Sequence, residues 1–371
     1  MHASFELTTP RYRLRCRGVS RRVTADVWNG PAVAEAVRNG FASAQGGRGA
    51  AEKPVVVGLV PFERGAPARL WVPEVVKWDC ADQGALPVRD EVTDPVSIQG
   101  SDSPAFREWV AEAVRRIGAC ELEKVVLARR VIVECPAPID CDRVHARLRA
   151  HNRAAFVYRI DLPCEAGETS SVFLGASPEL VLGSSGRRVS SHPLAGSAPR
   201  LAGSSEDRQA AESLLASGKD RREHLLVVRA VGETFRGFAE DVEVPGEPTL
   251  FETPVVWHLG TRISGTLHEG ISPIELAYAL HPTPAVGGWP QVAAERTIAD
   301  LEDFPRGWYA GLIGWMDGEG NGEWVLALRC GIVNGKEATV FGGAGIVSGS
   351  DPEKEHAETA TKMRTFINAL M

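Results

Sequence analysis

The sequence lacks the clustered cysteines on which disulfide-rich domains and zinc sites depend. It has seven cysteines, an odd number, and no two of them form a C-x-x-C pair. A disulfide framework and a structural zinc site are therefore disfavoured. The scattered cysteines are Cys16, Cys80, Cys120, Cys135, Cys141, Cys164 and Cys330.

Long hydrophobic runs and clusters of basic residues are also missing. The longest clearly apolar stretch, Val55 to Phe62, is far too short to cross a bilayer. Residues 1–22 contain several arginines and do not form the continuous apolar core of a signal peptide. The formal net charge of −7 gives no electrostatic basis for binding nucleic acid or an anionic membrane. We therefore expect a cytoplasmic protein with neither nucleic acid nor membrane as a partner.

What the sequence does contain is the composition of a large globular protein. Of its 371 residues, 44% are hydrophobic and 24% are charged, and there is no internal repeat or low-complexity tract. Length alone fits either two average domains or one large domain. Residues 1–100 contain short strand-like segments without recognisable chemistry, and the motifs that carry chemistry lie between residues 101 and 371.

The motif-bearing part opens with an amphipathic helix and a buried strand. From Pro104, apolar residues recur at helical spacing as far as Ile117, with charged residues on the opposite face. The β-branched run from Lys124 to Val133 predicts a strand that is buried on at least one face. A long helical region is predicted from Ser205 to Phe238, with Gly218 as a candidate interruption.

Turn signals separate further strands and predict hairpins. The glycine-rich residues 317–322 link two apolar runs, Trp308 to Met316 and Trp324 to Val333, and Asn334-Gly335 links the second run to a further strand. Additional strand candidates are Phe156 to Asp161, Ser171 to Leu174, Leu180 to Leu182 and Arg188 to His192. Local hairpins with helices inserted between them favour an α+β fold over a doubly wound parallel sheet.

The final predicted helix, Pro352 to Leu370, places two carboxylates and an ammonium on one face. Glu355, Glu358 and Lys362 are spaced three and four residues apart, so their side chains project together. A solvated face with an ordinary ion pair is one interpretation. The glycine-rich run that precedes the helix favours a functional site, because backbone N–H groups can approach an anion closely in such a turn.

Three other charged residues have both a structural and a functional interpretation. Glu223 lies on or beside an apolar helix face, where a carboxylate needs either an ion-pair partner or a metal ion. If Glu223 and Glu358 converge, magnesium is the expected ion, because it takes one or two protein carboxylates. Glu179 follows a proline between two extended segments, and Lys124 opens a strand. Each of these two residues can be an ordinary strand-end charge or a proton-transfer group.

Taken together, these residues resemble the chorismate-utilising enzymes, which include isochorismate, salicylate, anthranilate and aminodeoxychorismate synthases. The resemblance extends from Lys124 to Lys362, and eight ordered segments are far more specific than any one of them. The segments are KVVLAR at Lys124, FLGASPELVL at Phe173, PLAGSAPR at Pro193, KDRREHLLV at Lys219, WHLGT at Trp257, LHPTPAVGG at Leu280, GNGEWVLALRC at Gly320 and FGGAGIVSGSDPEKEHAET at Phe341.

The resemblance implies one large α+β domain, residues 1–371, with antiparallel sheets in a sandwich-like core and helices outside. It implies that Lys124 activates a water molecule and that Glu179 protonates the departing hydroxyl on the far side of the chorismate ring. It further implies that Mg²⁺ is bound by Glu223 and Glu358, with Glu355 close by. A monomer with chorismate as its small-molecule partner is expected.

The remaining site residues implied by the resemblance contact the substrate. They are Gly196, Ser197, Ala285, Arg329, Gly343, Gly345 and Lys362. Arg329 and Lys362 would pair with the substrate carboxylates. His258 and His281 lie within the matching segments, either lining the site or as buried structural histidines.

Three features of the resemblance favour an isochorismate synthase: Lys124, Ala285 and, less strongly, the GNGEWVLALRC segment at Gly320. Lys124 suits water as the nucleophile, and Ala285 stands where members that eliminate pyruvate usually carry threonine. The main alternative is a salicylate synthase, which would form isochorismate and then eliminate pyruvate. A non-catalytic relative that kept only the fold is a further alternative, disfavoured because the base, the acid and the metal ligands are all present.

Overall fold

The computed structural model describes residues 4–44, 53–80, 97–162 and 170–371. Within these residues the chain forms 22 strands and eight helices. The helices are α1 (Gly30–Ala44), α2 (Pro104–Gly118), α3 (Cys141–His151), α4 (Ser204–Ala216), α5 (Gly218–Phe238), α6 (Pro273–Leu280), α7 (Gln291–Leu301) and α8 (Pro352–Leu370). The strands are β1 (Ser4–Thr8), β2 (Tyr12–Arg17), β3 (Arg21–Val23), β4 (Val55–Val60), β5 (Arg69–Val72), β6 (Val75–Cys80), β7 (Ser97–Gln99), β8 (Lys124–Glu134), β9 (Phe156–Asp161), β10 (Val172–Ser177), β11 (Leu180–Ser185), β12 (Arg188–His192), β13 (Leu194–Pro199), β14 (Ala239–Glu243), β15 (Thr249–Glu252), β16 (Val256–Gly260), β17 (Ile263–Leu267), β18 (Gly288–Trp289), β19 (Leu312–Asp317), β20 (Gly322–Leu326), β21 (Cys330–Asn334) and β22 (Glu337–Ile346).

Two large antiparallel sheets carry most of the strands. Ten strands form the first sheet, in the order β18-β8-β22-β21-β10-β9-β1-β2-β6 with β7 also paired to β8. Nine strands form the second, in the order β14-β17-β12-β11-β20-β19-β4-β5-β3, and a smaller sheet has the order β13-β16-β15. Strands from the first hundred residues belong to both large sheets. The predicted α+β fold is confirmed.

One apolar core lies between the two large sheets. It contains Phe5 and Leu127 from the first sheet and Val57 and Ile313 from the second, all of them buried. A second apolar cluster lies under α3 and α8, where Phe366 is fully buried. Burying the apolar faces of sheets and helices in this way is the main favourable contribution to folding.

The longest strand pairing, between β8 and β22, determines where the candidate site lies. β8 pairs with β22 over ten residue pairs, from Glu134 opposite Glu337 to Val125 opposite Ile346. Both strands are mostly buried, as the β-branched sequence of β8 predicts. This pairing brings the beginning of β8, where Lys124 lies, next to the glycine-rich end of β22.

The predicted helices are confirmed with small changes at their ends. The long helical region is divided at Ser217, whose hydroxyl caps α5 by accepting a hydrogen bond from the Asp220 N–H. α8 begins with Pro352 in its first turn, and the Asp351 carboxylate accepts a hydrogen bond from the Lys354 N–H. No helix in the described parts of the chain combines the length and the apolar character needed to span a bilayer.

The strand prediction is wrong for the apolar run from Trp324 to Val333. β20 ends at Leu326, β21 begins at Cys330, and the two strands belong to different sheets. Arg329 lies between them with a φ of 50°, in the left-handed region that breaks a strand. Likewise, the preceding strand begins at Leu312 rather than Trp308, since residues 308–311 form a turn.

The cysteines in the described residues form no disulfide. Cys16 and Cys330 are buried, Cys80 and Cys120 are exposed, and all six described thiols are free. Burial raises the pKa of the Cys16 and Cys330 thiols to about 12, which makes them unreactive. Cys164 lies outside the described residues.

Candidate active site

A cavity lies beside the β8–β22 pairing, between the first sheet, α5 and α8. Ten of the twelve site residues predicted from the sequence line it. They are Glu179, Gly196, Ser197, Glu223, Ala285, Arg329, Gly343, Gly345, Glu358 and Lys362. The other two, Lys124 and Glu355, are buried and do not line the cavity. Lys124 contacts the lining residue Glu223, and Glu355 contacts Lys219.

Glu179 is a buried carboxyl in the short link between β10 and β11. Its side chain is only 3% exposed, and burial raises its pKa to about 8. The opposing effects are weaker: a hydrogen bond from the Leu194 N–H and the positive charges of Lys124 and Lys362. Glu179 therefore keeps its proton at neutral pH and is suited to act as a general acid.

Lys124 is a fully buried lysine at the beginning of β8. Its side chain is 1% exposed, and its Nζ lies 3.0 Å from Oε1 of Glu223. Gly345 lies on the neighbouring strand β22, opposite Val126, and a Cβ atom there would be 2.3 Å from Oε1 of Glu223 and 3.3 Å from Cε of Lys124. The glycine is required because a side chain at this position would occupy the space of the ion pair.

Glu358 and Lys362 form the ion pair predicted from their spacing on α8. Nζ of Lys362 lies 2.5 Å from Oε1 of Glu358 and also donates a hydrogen bond to the Gly343 carbonyl at 3.0 Å. Burial would raise the pKa of Glu358, but Lys362 and a hydrogen bond from Ser197 lower it. Glu358 is therefore a carboxylate that faces the cavity and remains charged.

Glu355 extends to a partner that the sequence interpretation did not include. Its carboxylate lies 3.1 Å from Nζ of Lys219, in the first turn of α5. Burial and the nearby charge of Glu358 raise the pKa of Glu355. Burial together with the charges of Glu223 and Glu358 likewise raises the pKa of Asp220. Four acidic groups thus crowd this end of the cavity.

These acids fit a hard divalent cation. Glu223 and Glu358 line the same cavity from different helices, and mutual repulsion among the four carboxyl groups would be relieved by a positive ion. Among the described residues, no three acidic, histidine or cysteine side chains form a ready-made metal cage. Mg²⁺ does not require one, because it is commonly bound by one or two carboxylates together with water and substrate oxygens.

Arg329 is held in a strained conformation by the fold and supplies a buried guanidinium to the cavity. Its Nη2 donates a hydrogen bond to Nε2 of His258 at 3.0 Å, while Nδ1 of His258 donates to the Gly196 carbonyl at 3.2 Å. Burial lowers the pKa of His258 far below its usual value, so the ring is neutral and can accept from Arg329. Nη1 of Arg329 has no hydrogen-bond partner in the described chain, which leaves it available to an anion.

His258 lines the cavity, whereas His281 does not. Nε2 of His281 donates a hydrogen bond to the Pro61 carbonyl, 2.9 Å away, and the ring packs edge-on against Phe62. Of the two alternatives for these histidines, His258 lines the site and His281 is structural. Their sequence motifs alone contain no signal that separates them.

Gly196 and Ser197 reach the cavity through a β-bulge. The pairing of β13 with β16 shifts register between Ala195 and Ser197, and Gly196 adopts a φ of 75°. A Cβ atom on Gly196 would be 3.0 Å from the Cβ of Asp220. The bulge turns Ser197 toward Glu358, which accepts its hydrogen bond.

Several residues that line the cavity were missed by the sequence interpretation. Tyr309 stacks on Phe341 with ring centres 5.1 Å apart, and its hydroxyl lies close to Gly343. Val126 and Val286 contribute apolar side chains to the lining. Nothing local in the sequence marks these positions, because their place in the site depends on how distant segments pack.

Comparison with known proteins identifies the family of this chain. Residues 81–371 match the family described as chorismate binding enzyme. The chain is 38% identical to isochorismate synthase DhbC of Bacillus subtilis over 91% of this chain and 84% of that protein. It is also 38% identical to isochorismate synthase EntC of Escherichia coli over 85% of this chain and 81% of that protein. The chain therefore belongs to the family of chorismate-binding enzymes, and the resemblance inferred from its motifs is confirmed.

Solved structures support the same assignment of fold. A Bacillus anthracis protein assigned as a 2,3-dihydroxybenzoate-specific isochorismate synthase superposes with a TM-score of 0.92 at 34% identity, covering 99% of this chain and 96% of that one. The menaquinone-specific isochorismate synthase MenF of Escherichia coli has a TM-score of 0.83 at 23% identity, covering 100% of this chain and 89% of that one. The second similarity is evidence of the fold alone.

Proposed function

We propose that this protein is a magnesium-dependent isochorismate synthase. The observation that carries the proposal is a buried carboxyl that lines the cavity, Glu179, whose pKa is about 8, together with a buried lysine, Lys124, that contacts the cavity-lining Glu223. Similarity to the isochorismate synthases of Bacillus subtilis and Escherichia coli supports the choice of reaction.

In the proposed reaction, water adds to the ring carbon beside the carboxylate-bearing carbon, the ring double bonds shift, and the distal hydroxyl leaves. Lys124, which is paired with Glu223 as an ammonium, first releases a proton to solvent and then accepts a proton from the attacking water. Glu179 donates its proton to the departing hydroxyl, which leaves as water. One water enters and one leaves, so the product is an isomer of the substrate. Solvent exchange then returns both residues to their starting states. Placing base and acid around a fixed ring is the arrangement that this double proton transfer needs.

Chorismate carries two carboxylates, and the cavity offers two cations for them. The free Nη1 of buried Arg329 and the ammonium of Lys362 are the groups we assign to the substrate carboxylates. The Lys362 ammonium is already fixed by Glu358 and the Gly343 carbonyl, so little ordering is needed when a ligand binds.

We propose that Mg²⁺ is held by Glu223 and Glu358, with Glu355 next to them. The ion would supply a positive charge that neutralises and orients a substrate carboxylate. The observation that supports its place is the clustering of four acids at this end of the cavity. Burial raises the pKa of both Asp220 and Glu355, and the neighbouring carboxylates raise it further.

The test is to identify the product formed from chorismate. Purified protein with chorismate and Mg²⁺ should produce isochorismate, separated by liquid chromatography, without fluorescent salicylate and without pyruvate in a lactate dehydrogenase assay. Salicylate together with pyruvate would instead establish a salicylate synthase. Intact chorismate in every reaction would refute the proposed function. Light scattering from the same preparation tests the expectation that the protein is a monomer.

A further inference from the structure

Arg306 is a buried charged residue that the proposed mechanism does not use. It lies just after α7 with its side chain 1% exposed, and it forms an ion pair with Glu302, whose side chain is 2% exposed. Nε of Arg306 donates to Oε2 of Glu302 at 2.8 Å, and its guanidinium lies 4.3 Å from the ring centre of Phe62. Placing both charges of an ion pair in the interior is costly, and such a pair is weak evidence for a role in stability. Its contacts therefore need a separate explanation.

The remaining guanidinium donors join two walls of the cavity. Nη1 of Arg306 donates to the Val286 carbonyl at 2.7 Å, and Nη2 donates to the Val126 carbonyl at 2.6 Å. Val126 lies two residues after Lys124 on β8. Val286 follows Ala285 directly in the loop that leads to β18. One planar group thus sets the distance between the strand of the proposed base and the loop that faces the ring.

The two walls are also connected by backbone pairing next to the contacts of Arg306. β18 pairs with the beginning of β8, with Gly288 opposite Val125 and Trp289 opposite Lys124, and the Val126 N–H donates to the Gly287 carbonyl at 2.8 Å. Beyond Gly287 the loop leaves the strand, and the bond from Arg306 to the Val286 carbonyl is the contact that continues the connection toward Ala285.

Arg306 is itself fixed from three sides. Oε1 of Glu302 also accepts from the Ala128 N–H on β8 at 2.8 Å, so the ion pair is attached to the same strand. The Glu63 carboxylate accepts the backbone N–H groups of Arg306 and Gly307 at 2.9 and 3.3 Å. A lysine could not reproduce this arrangement, because one ammonium cannot match the fork of a planar guanidinium.

We propose that Arg306 is a positioning residue for the hydroxyl transfer, and the proposal rests on the function proposed above. It fixes Lys124 and the Ala285 loop at the separation that places the attacking water over the correct ring carbon. Substrate carboxylates are bound by other residues, Arg329 and Lys362, which Arg306 does not contact. Loss of the guanidinium should therefore impair turnover much more than binding.

The experiment compares kcat and KM for chorismate in wild type, Arg306→Lys and Arg147→Lys. Arg147 is a matched control: it is buried and donates to two backbone carbonyls, those of Ala369 and Leu370, far from the cavity. We expect Arg306→Lys to lower kcat about 10- to 100-fold with KM within about threefold, as displacement by about 1 Å does. We expect Arg147→Lys to lower the melting temperature without changing kcat.

Two results would overturn the proposal. The first is a folded Arg306→Lys protein whose kcat equals that of wild type. The second is a loss of activity in Arg306→Lys that matches an equal fall in the folded fraction, measured by circular dichroism. If Arg306→Lys does not fold, Glu63→Ala replaces it, because this partly exposed residue holds the Arg306 backbone from outside the cavity. A fall in its kcat of about two- to fivefold at constant KM is expected from a smaller displacement, and an unchanged kcat refutes the role. Wild-type protein inactive on chorismate would refute the proposed function instead.

Discussion

The ammonium of Lys124 lies 3.0 Å from the carboxylate of Glu223, so the proposed base is in direct contact with a proposed metal ligand. The two residues come from the beginning of β8 and the first turns of α5, almost a hundred positions apart in the sequence. Their contact means that metal binding and water activation share one electrostatic environment, in which a change at either residue affects the other.

Gly345→Ala should abolish activity with little effect on stability. The new Cβ would be 2.3 Å from Oε1 of Glu223. The end of that flexible side chain can move away, but the Lys124–Glu223 pair cannot then keep its geometry. Turnover of chorismate and the free energy of unfolding in urea should be measured together. Gly237→Ala is the matched control, because a Cβ added there in α5 would meet nothing within 4 Å apart from its chain neighbours and the backbone of its own helix. The control should keep full activity and gain about 0.5–1 kcal/mol from helix propensity. Full activity in Gly345→Ala would contradict the prediction.

Glu179→Gln should be inactive and more stable than wild type at neutral pH. The folded protein keeps the Glu179 proton up to about pH 8, whereas the unfolded chain releases it near 4.5. Between these values the unfolded state binds fewer protons, so the carboxyl lowers stability progressively as pH rises. At pH 7 the buried carboxyl lowers the free energy of unfolding by on the order of 3 kcal/mol. Glutamine has no proton to lose in this range and does not lower it.

This prediction is checked by urea unfolding of the wild type and of Glu179→Gln between pH 5 and pH 8. The stability difference in favour of Glu179→Gln should be small at pH 5 and should grow as pH rises. In the wild type, kcat should fall above about pH 8 as the acid loses its proton. A stability difference that stays constant with pH would show that Glu179 is ionised in the folded state.

Much of the site could be predicted because its residues lie in motifs with local geometry. The i,i+4 spacing of Glu358 and Lys362 fixes their contact on any α-helix, and the structure contains it. Likewise, the β-branched run that begins at Lys124 forms a buried strand whatever it pairs with. Local periodicity is sufficient for these predictions, because the partners are close in sequence.

The rest depends on contacts between distant segments, which periodicity does not encode. The pairing of Glu355 with Lys219 joins α8 to α5, and the bond from Arg306 to the Val126 carbonyl joins residues 180 positions apart. The break at Arg329 was also missed, since an apolar run continues through it and its left-handed backbone is imposed by the two sheets that it connects. Sequence patterns predict the helices and strands, whereas tertiary packing determines which distant residues contact one another.

Glu358→Gln should weaken Mg²⁺ binding, measured by isothermal titration calorimetry without substrate. Glutamine keeps the shape of the side chain but removes one of two carboxylates that line the cavity, and hard cations prefer charged oxygen ligands. We expect affinity to fall at least about tenfold, or ~1.4 kcal/mol. Glu353→Gln is the control on the same helix, because that exposed carboxylate pairs with Arg107 outside the cavity. Equal affinities in the two variants would place the metal elsewhere.

Arg329→Lys should raise KM for chorismate more than it lowers kcat. The guanidinium is oriented by His258 and leaves Nη1 free for a substrate carboxylate, whereas a lysine ammonium would lack one of these two contacts. A hydrogen bond between charged groups contributes about 1.5–3 kcal/mol, so KM should rise about 10- to 100-fold. The control is Arg188→Lys, an exposed arginine on β12 at which no change is expected. A folded Arg329→Lys protein with wild-type KM would assign the substrate carboxylate to another group. If kcat alone falls, the guanidinium acts on the transition state instead.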